Sequence, residues 1–190
     1  MPAPQPFAYQ QSSHSCWITS VHNALLFLFG NTYKVPHRLS RALYHRSSDD
    51  GVSDDDLNDM LRLFGEINGL KVVPFRHSGI TRRVLRRHLK KNNAVLVCDI
   101  HGGRHSVLIT EIRGDRLIAF DPNWDNVTPS RRDGERYECC PFGDPEGRLL
   151  NPHHNVSINM DWFFAEHPDE TDRFVMGPVK KRFASFMVRC

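Results

Sequence analysis

Three short apolar runs in the second half of the chain constrain its fold most. They read AVLVCDI, HSVLITEI and DRLIAFDP, at residues 94–100, 105–112 and 115–122. The last two runs are separated by a turn built on Gly114 and Asp115. Short β-rich runs joined by a glycine-containing turn are typical of a hairpin. We therefore predict an antiparallel sheet in which the last two runs form a β-hairpin.

Helical spacing dominates the first half of the chain. Apolar residues recur at three- and four-residue steps from Cys16 to Phe29, and Gly30 supplies a stop. Ser13 or Ser15 can cap the start of this helix. We also predict helices at residues 36–45, 54–66 and 81–93, and a strand at residues 70–75. Helices followed by an antiparallel sheet predict an α+β fold.

The last third of the chain carries weaker signals. Residues 124–150 are rich in glycine, proline and charge, which predicts loops, and residues 182–190 alternate loosely, which is typical of one more strand. The vicinal pairs Cys139–Cys140 and His153–His154 suggest a metal site at first sight. Adjacent side chains point apart, however, and zinc ligands usually come in pairs spaced by two to four residues. We therefore predict neither a metal site nor a cofactor.

The composition bounds the class of protein. With 190 residues, 39% of them hydrophobic and 25% charged, the chain fits a single globular domain with a sizeable core. A net charge of +3 does not indicate a nucleic-acid partner, and no apolar run approaches the ~18 residues of a membrane span. Five irregularly spaced cysteines do not form a disulfide framework. The start of the chain lacks the pattern of a secretory signal, so we expect a cytoplasmic protein, with export by another route left open.

Cys16 stands at the edge of an apolar helical stretch rather than inside it. The N-terminus of a helix stabilises a thiolate through its partial positive charge, and the thiolate is the nucleophilic form of cysteine. Such a cysteine attacks carbonyl carbon when a histidine from elsewhere in the fold assists it. An inert thiol at the helix start is the alternative interpretation.

Two histidines flank the predicted sheet, and one is better placed to act as a base. His101 precedes two glycines, whereas His105 opens an apolar strand that would hold it rigidly. Asp121 ends the next strand, so the hairpin brings His105 and Asp121 together at one sheet edge. The alternatives are a structural strand-edge histidine for His105 and a turn residue before Pro122 for Asp121.

An oxyanion stabiliser is expected upstream of the cysteine. Gln10 lies six residues before Cys16, close enough for its side-chain amide to reach the thiolate, and the Cys16 backbone amide would be the second donor. Gln11 is the alternative. The spacing of Gln10, Cys16-Trp17 and Ser20 resembles the active-site segment of papain-like cysteine peptidases.

The second half of the chain resembles the same superfamily. His105 opening a strand, with Asp121 sixteen positions later, is similar to its order of base and orienting residue. The following DPNW resembles the point where an aromatic residue, here Trp124, shields the triad. Aspartate followed by proline as the third member resembles the bacterial branch that trims the double-glycine leader peptides of bacteriocins.

The resemblance implies a two-lobed papain-like α+β fold within a single domain. A helical lobe at about 10–92 would carry the nucleophile, and a sheet lobe at about 93–190 would carry the histidine and the aspartate. His14, Trp17 and Trp124 would line the substrate cleft, although Trp17 fits a core position equally well. The implied activity is hydrolysis of a peptide or amide bond in a peptide or protein substrate, through a thioester intermediate.

Other functions are compatible with the same residues. Glutamine deamidases and acyltransferase or transglutaminase-like enzymes use the same three residue types in the same order. A catalytically silent papain-like binding protein is a third interpretation. A basic helix face at 82–91 is either solvated surface or a docking surface for an acidic protein partner, and it comprises Arg82, Arg83, Arg86, Arg87, Lys90 and Lys91.

Overall fold

The computed structural model describes residues 7–9, 15–30, 62–63, 66–67, 69–75, 81–91, 94–100, 105–123, 137–139, 153–164 and 184–189. Its helices are α1 (Cys16–Phe29), α2 (Arg82–Arg86), which continues as a π-helical turn (Arg87–Lys91), and α3 (Met160–Phe164). Its strands are β1 (Leu70–Phe75), β2 (Val95–Ile100), β3 (His105–Arg113), β4 (Arg116–Phe120), β5 (Tyr137–Cys139), β6 (Val156–Asn159) and β7 (Ala184–Arg189).

The seven strands form one sheet in the order β1-β7-β2-β3-β4-β6-β5. Every neighbouring pair in it is antiparallel. The predicted hairpin is present: β3 and β4 close at the Arg113–Arg116 pair, and Gly114 in the turn has a φ of 61°. That φ lies in the left-handed region, where a residue without a Cβ is least strained. The α+β class predicted from the sequence is thus confirmed.

Helices cover both faces of the sheet, and alternate strand residues serve each face. In β2, Val95 and Val97 pack in the cluster that contains α1, whereas Leu96 and Cys98 pack in the cluster on the opposite face. This two-sided burial explains why β2 begins with an uninterrupted apolar run, residues 95–98. The opposite cluster is completed by apolar residues of α2, its π-helical turn and α3, namely Leu85, Leu89, Met160, Trp162 and Phe163.

The N-terminus of α1 differs from the prediction in one respect. Ser15 occupies the N-cap position, but its side chain makes no capping hydrogen bond. Its carbonyl instead accepts from the Thr19 backbone N–H at 3.0 Å and from the Thr19 hydroxyl at 2.8 Å. The Ser15 side chain therefore leaves the amides of the first turn to other acceptors. Ser13, the other predicted cap, lies outside the described residues.

Several elements were not predicted from the sequence. β5 falls within the stretch 124–150 that was predicted to be loop, and β6 and α3 follow it. Each has three to five residues, which is too short to show a periodicity. The helix predicted at 36–45 lies outside the described residues, and of the one predicted at 54–66 only residues 62–63 and 66 are described, all helical.

The sheet draws strands from distant parts of the sequence. β1 belongs to the residues predicted to form a helical lobe, and it pairs with β7 from the end of the chain. β7 also pairs with β2, so β7 lies between β1 and β2 in the sheet. Among the helices that the structure describes, none has the length and apolar character needed to cross a membrane.

Candidate active site

Cys16 is the first residue of α1 and is buried, with 8% of its surface exposed. α1 is held on the sheet by a cluster that includes Val21, Leu25, Leu108 and Phe120. Burial of each such side chain contributes about 1.5–3 kcal/mol, so the helix has a fixed position on the strands. The thiol therefore lies at a defined point beside the start of β3.

A buried hydrogen bond sets the position of α1 along β3. The Ser20 hydroxyl donates to the Ser106 carbonyl oxygen at 3.1 Å. Ser20 is four residues after Cys16, so it lies on the same helix face. Ser106 directly follows His105 in the chain. Because Ser20 lies about one helical turn from Cys16, this bond fixes the position of Cys16 relative to His105.

His105 and Asp121 form a buried pair at the ends of the hairpin strands. His105 Nε2 lies 2.6 Å from Asp121 Oδ1, and Asp121 has no exposed surface. Beyond the Leu108–Phe120 pair, the register puts Asp121 opposite Val107, so the contact to His105 is diagonal rather than directly across. The proximity predicted from the hairpin is observed.

A bulge in β3 sets which residue lies opposite Asp121. Between Ile109 and Glu111 the register with β4 shifts by one residue, so Thr110 is the extra residue. Without that shift Asp121 would stand opposite Leu108, which packs in the cluster that contains α1. With the shift it stands opposite Val107, which packs in the cluster on the opposite face and is two residues from His105. The bulge thus sets the register at which Asp121 approaches His105.

The electrostatics of His105 favour its charged form. Burial alone lowers the pKa of an imidazole, but the Asp121 carboxylate opposes this through its charge and its hydrogen bond. The Cys16 side chain, which is within hydrogen-bonding reach of His105, raises the pKa further. Together these neighbours raise the pKa of His105 from 6.5 to about 10. The imidazolium is therefore the stable form at neutral pH, next to a sulfur that it can stabilise as an anion.

Asp121 is held by more than its contact with His105. Its Oδ1 also accepts from the Asn123 backbone N–H at 2.7 Å, which is the turn expected for an aspartate before a proline. The Asn155 side chain binds both backbone groups of Asp121, at 2.7 Å each. Asp121 thus contacts His105 and forms the turn before Pro122 in the same conformation. Nothing in the sequence pattern around Asn155 indicated this contact.

An extended arm, residues 7–9, runs past the site. Asn23 of α1 binds both backbone groups of Ala8, accepting from its N–H at 2.8 Å and donating to its carbonyl at 2.9 Å. Phe7 packs edge-on against Phe120, with ring centroids 5.1 Å apart. Tyr9 accepts a hydrogen bond from the Asn155 side chain at 3.3 Å, and burial together with the nearby Asp121 charge raises the Tyr9 pKa. The arm is thereby fixed immediately before residue 10.

The remaining predicted site residues are placed only in part. Gln10, His14 and Trp124, and the alternative base His101, lie outside the described residues. Trp17 is buried in the cluster between α1 and the sheet, which matches the core alternative. Its role in substrate binding stays a prediction.

Two further predictions concern the basic helix face and metal binding. Arg83, Arg86 and Arg87 are exposed, whereas Arg82 forms an ion pair with Asp161 and lies over the Phe164 ring at 5.7 Å. The acidic partner stays a prediction. Within the described parts of the chain, no three His, Cys, Asp or Glu side chains are arranged to hold a metal ion.

Comparisons with known proteins define the fold. No protein-family model matches the chain, and no curated protein matches it significantly. A solved structure resembles it over nearly its whole length: a double-glycine motif protease from an AMS/PCAT transporter, in complex with the leader peptide. The two are 15% identical with a TM-score of 0.51, over 96% of this chain and 91% of that chain. The chain thus has the fold of a double-glycine protease, and the resemblance predicted from its sequence is confirmed at the level of fold.

Proposed function

We propose that the protein is a papain-like cysteine peptidase that hydrolyses an amide bond in a peptide. Cys16 is the nucleophile, His105 transfers the proton, and Asp121 orients the His105 ring. The observation that carries this proposal is the continuous buried contact from the Asp121 carboxylate through His105 to Cys16. The fold shared with a double-glycine motif protease supports it independently.

In the proposed mechanism the two nitrogens of the His105 ring have different roles. Nε2 is bound by Asp121, which leaves Nδ1 to exchange a proton with Cys16. The Cys16 sulfur, with its proton on His105, attacks the carbonyl carbon and forms a tetrahedral intermediate. The C–N bond then breaks, His105 gives its proton to the leaving amine, and a thioester remains on Cys16. Water attacks the thioester while His105 takes its proton, and rupture of the C–S bond releases the acid and restores the pair.

Two donors are proposed for the oxyanion of the tetrahedral intermediate. One is the backbone amide of Cys16, in a helix turn that the Ser15 side chain does not cap. The other is the side-chain amide of Gln10, which directly follows the arm held by Asn23 and Asn155. Loss of one such donor typically lowers kcat by about 100- to 1,000-fold.

The proposed substrate is a peptide, because the neighbour of the same fold is in complex with its leader peptide. A peptide carrying a Gly-Gly sequence is the first choice for a test, since that neighbour is a double-glycine motif protease. We place its binding cleft between the two predicted lobes, at about 10–92 and 93–190, with His14, Trp17 and Trp124 as lining residues.

An activity-based thiol probe tests the proposal. We expect it to label Cys16, and we expect labelling to be lost in His105→Ala. Cys98 offers a matched control, because this cysteine is buried in the sheet with no exposed surface. Cys98→Ala should therefore be labelled as the wild type is. Equal labelling of wild type and His105→Ala would indicate a silent scaffold, and ammonia release without chain cleavage would indicate a glutamine deamidase.

A further inference from the structure

Asn155 is a buried asparagine, 3% exposed, that immediately precedes β6. Its side-chain oxygen accepts from the Asp121 N–H, and its side-chain nitrogen donates to the Asp121 carbonyl, both at 2.7 Å. The same nitrogen donates to the Tyr9 phenol oxygen at 3.3 Å. One neutral side chain thus joins the backbone of Asp121 to the arm that crosses the site.

These contacts continue the sheet beyond its last backbone pair. The pairing of β4 with β6 ends at Ala119 and Val156, and the Asn155 backbone N–H donates to the Ala119 carbonyl at 3.1 Å. Asp121 lies past this point, where no β6 backbone is paired with it. The Asn155 amide supplies an N–H and a C=O in the pattern that a neighbouring strand would offer. Both backbone groups of Asp121 are therefore hydrogen-bonded, as they would be for a residue inside the sheet.

We propose that Asn155 is a positioning residue for the reaction: it fixes the Asp121 backbone so that the carboxylate stays on His105 Nε2. This inference rests on the proposed peptidase function. Asn155 touches neither His105 nor Cys16 in the contacts described, so its effect on the His105 ring passes through Asp121.

Because Asn155 is neutral, its replacement tests the position of the Asp121 carboxylate without changing the charge at the site. Among the residues that the structure describes, the titratable groups that face His105 are Cys16 from α1 and Asp121 directly after β4, and the Tyr9 phenol faces Asp121 from the arm. Replacing Asn155 removes no charge from this set. A change in the titration of His105 would therefore report a change in the position of the Asp121 carboxylate.

The chain provides a matched control in Asn23. This residue is also a buried asparagine whose side chain binds both backbone groups of one residue, but that residue is Ala8. We would compare Asn155→Ala and Asn23→Ala by thermal unfolding, by NMR titration of His105, and by kcat and KM on a cleaved peptide. Assignment of the His105 signal among the 11 histidines comes from its loss in His105→Gln.

We expect both variants to lower the unfolding temperature, because each removes two side-chain hydrogen bonds to the backbone. Asn155→Ala should lower the His105 pKa by about one unit or more, whereas Asn23→Ala should leave the His105 titration unchanged. Asn155→Ala should also lower kcat about 10- to 100-fold with little change in KM. A titration of His105 in Asn155→Ala that equals the wild type would overturn the proposal. If Asn155→Ala does not fold, Asn155→Ser, whose single shorter hydroxyl replaces the separate donor and acceptor of the amide, is held to the same criterion.

The two claims fail in distinguishable ways. Absence of Cys16 labelling in the wild type would refute the peptidase function, yet the NMR titration would still show whether Asn155 holds Asp121. A reactive Cys16 together with unchanged His105 titration and kcat in Asn155→Ala would refute only the positioning role.

Discussion

Replacement of Asp121 by asparagine removes the charge beside His105 while keeping the local turn. The Asn123 backbone N–H donates to Asp121 Oδ1, and an asparagine carbonyl oxygen can accept the same bond. The variant therefore isolates the electrostatic effect of the carboxylate. Asp115→Asn is the matched control, since it makes the same chemical change in the exposed turn at the other end of β4.

The expected size of the effect follows from the raised pKa of His105. The pKa rises from 6.5 to about 10, and after burial, which lowers it, the two largest causes are the charge and the hydrogen bond of Asp121. Without the charge, burial opposes only a hydrogen bond to a neutral acceptor and the contribution of Cys16. We expect the His105 pKa to fall by at least about two units in Asp121→Asn. At 1.36 kcal/mol per unit, this is a loss of about 3 kcal/mol in the preference for the imidazolium.

The same shift predicts how stability depends on pH. The folded pKa of His105 lies above its unfolded value of 6.5, so the imidazolium stabilises the fold fully below pH 6.5. This contribution is lost as the pH rises through about 10. The stability advantage of wild type over Asp121→Asn should thus shrink by up to about 3 kcal/mol between pH 6 and pH 10.

Two assays check this prediction. NMR titration of the His105 ring gives its pKa, and urea denaturation at pH 6 and pH 10 gives the free energy of unfolding. Asp115→Asn should match the wild type in both. An unchanged His105 titration in Asp121→Asn, or a stability difference that is the same at both pH values, would refute the electrostatic account of the pair.

Three further predictions concern residues that hold α1, the arm and the hairpin in place. Ser20→Ala leaves the buried Ser106 carbonyl without its 3.1 Å donor; we expect a loss of about 1–3 kcal/mol by urea denaturation and slower alkylation of Cys16. Phe7→Ala removes the ring packed on Phe120; we expect a loss of about 3–5 kcal/mol, and a loss below 1 kcal/mol would show that the arm is not anchored there. Gly114→Ala introduces a Cβ at φ 61°; it should destabilise the hairpin by about 1 kcal/mol in thermal unfolding, and equal stability would contradict the strain argument.

Part of the fold was accessible from the sequence because it is encoded in local periodicity. α1 spans Cys16–Phe29, as its three- and four-residue apolar spacing predicted, and β1 spans the predicted residues 70–75. The hairpin around Gly114 followed from two β-rich runs and a short turn. The approach of His105 to Asp121 followed in turn from the hairpin.

The rest of the site depends on long-range contacts that leave no local signal. The Thr110 bulge sets which β3 residue lies opposite Asp121, yet Thr110 looks like any other residue in an apolar strand. Asn155 is 34 residues from Asp121 in the chain, in a stretch without recognisable periodicity. The Ser20 bond to Ser106 spans 86 residues. Such contacts are fixed by the packing of the whole sheet rather than by any segment of it.

The most direct test of the account is peptide cleavage followed by mass spectrometry. A peptide containing a Gly-Gly sequence is incubated with the wild type, Cys16→Ser and Cys98→Ser. We predict two product fragments with the wild type and Cys98→Ser, a transient acyl adduct on Cys16, and no products with Cys16→Ser. Cleavage that persists in Cys16→Ser would contradict the assignment of Cys16, His105 and Asp121 as one reactive unit.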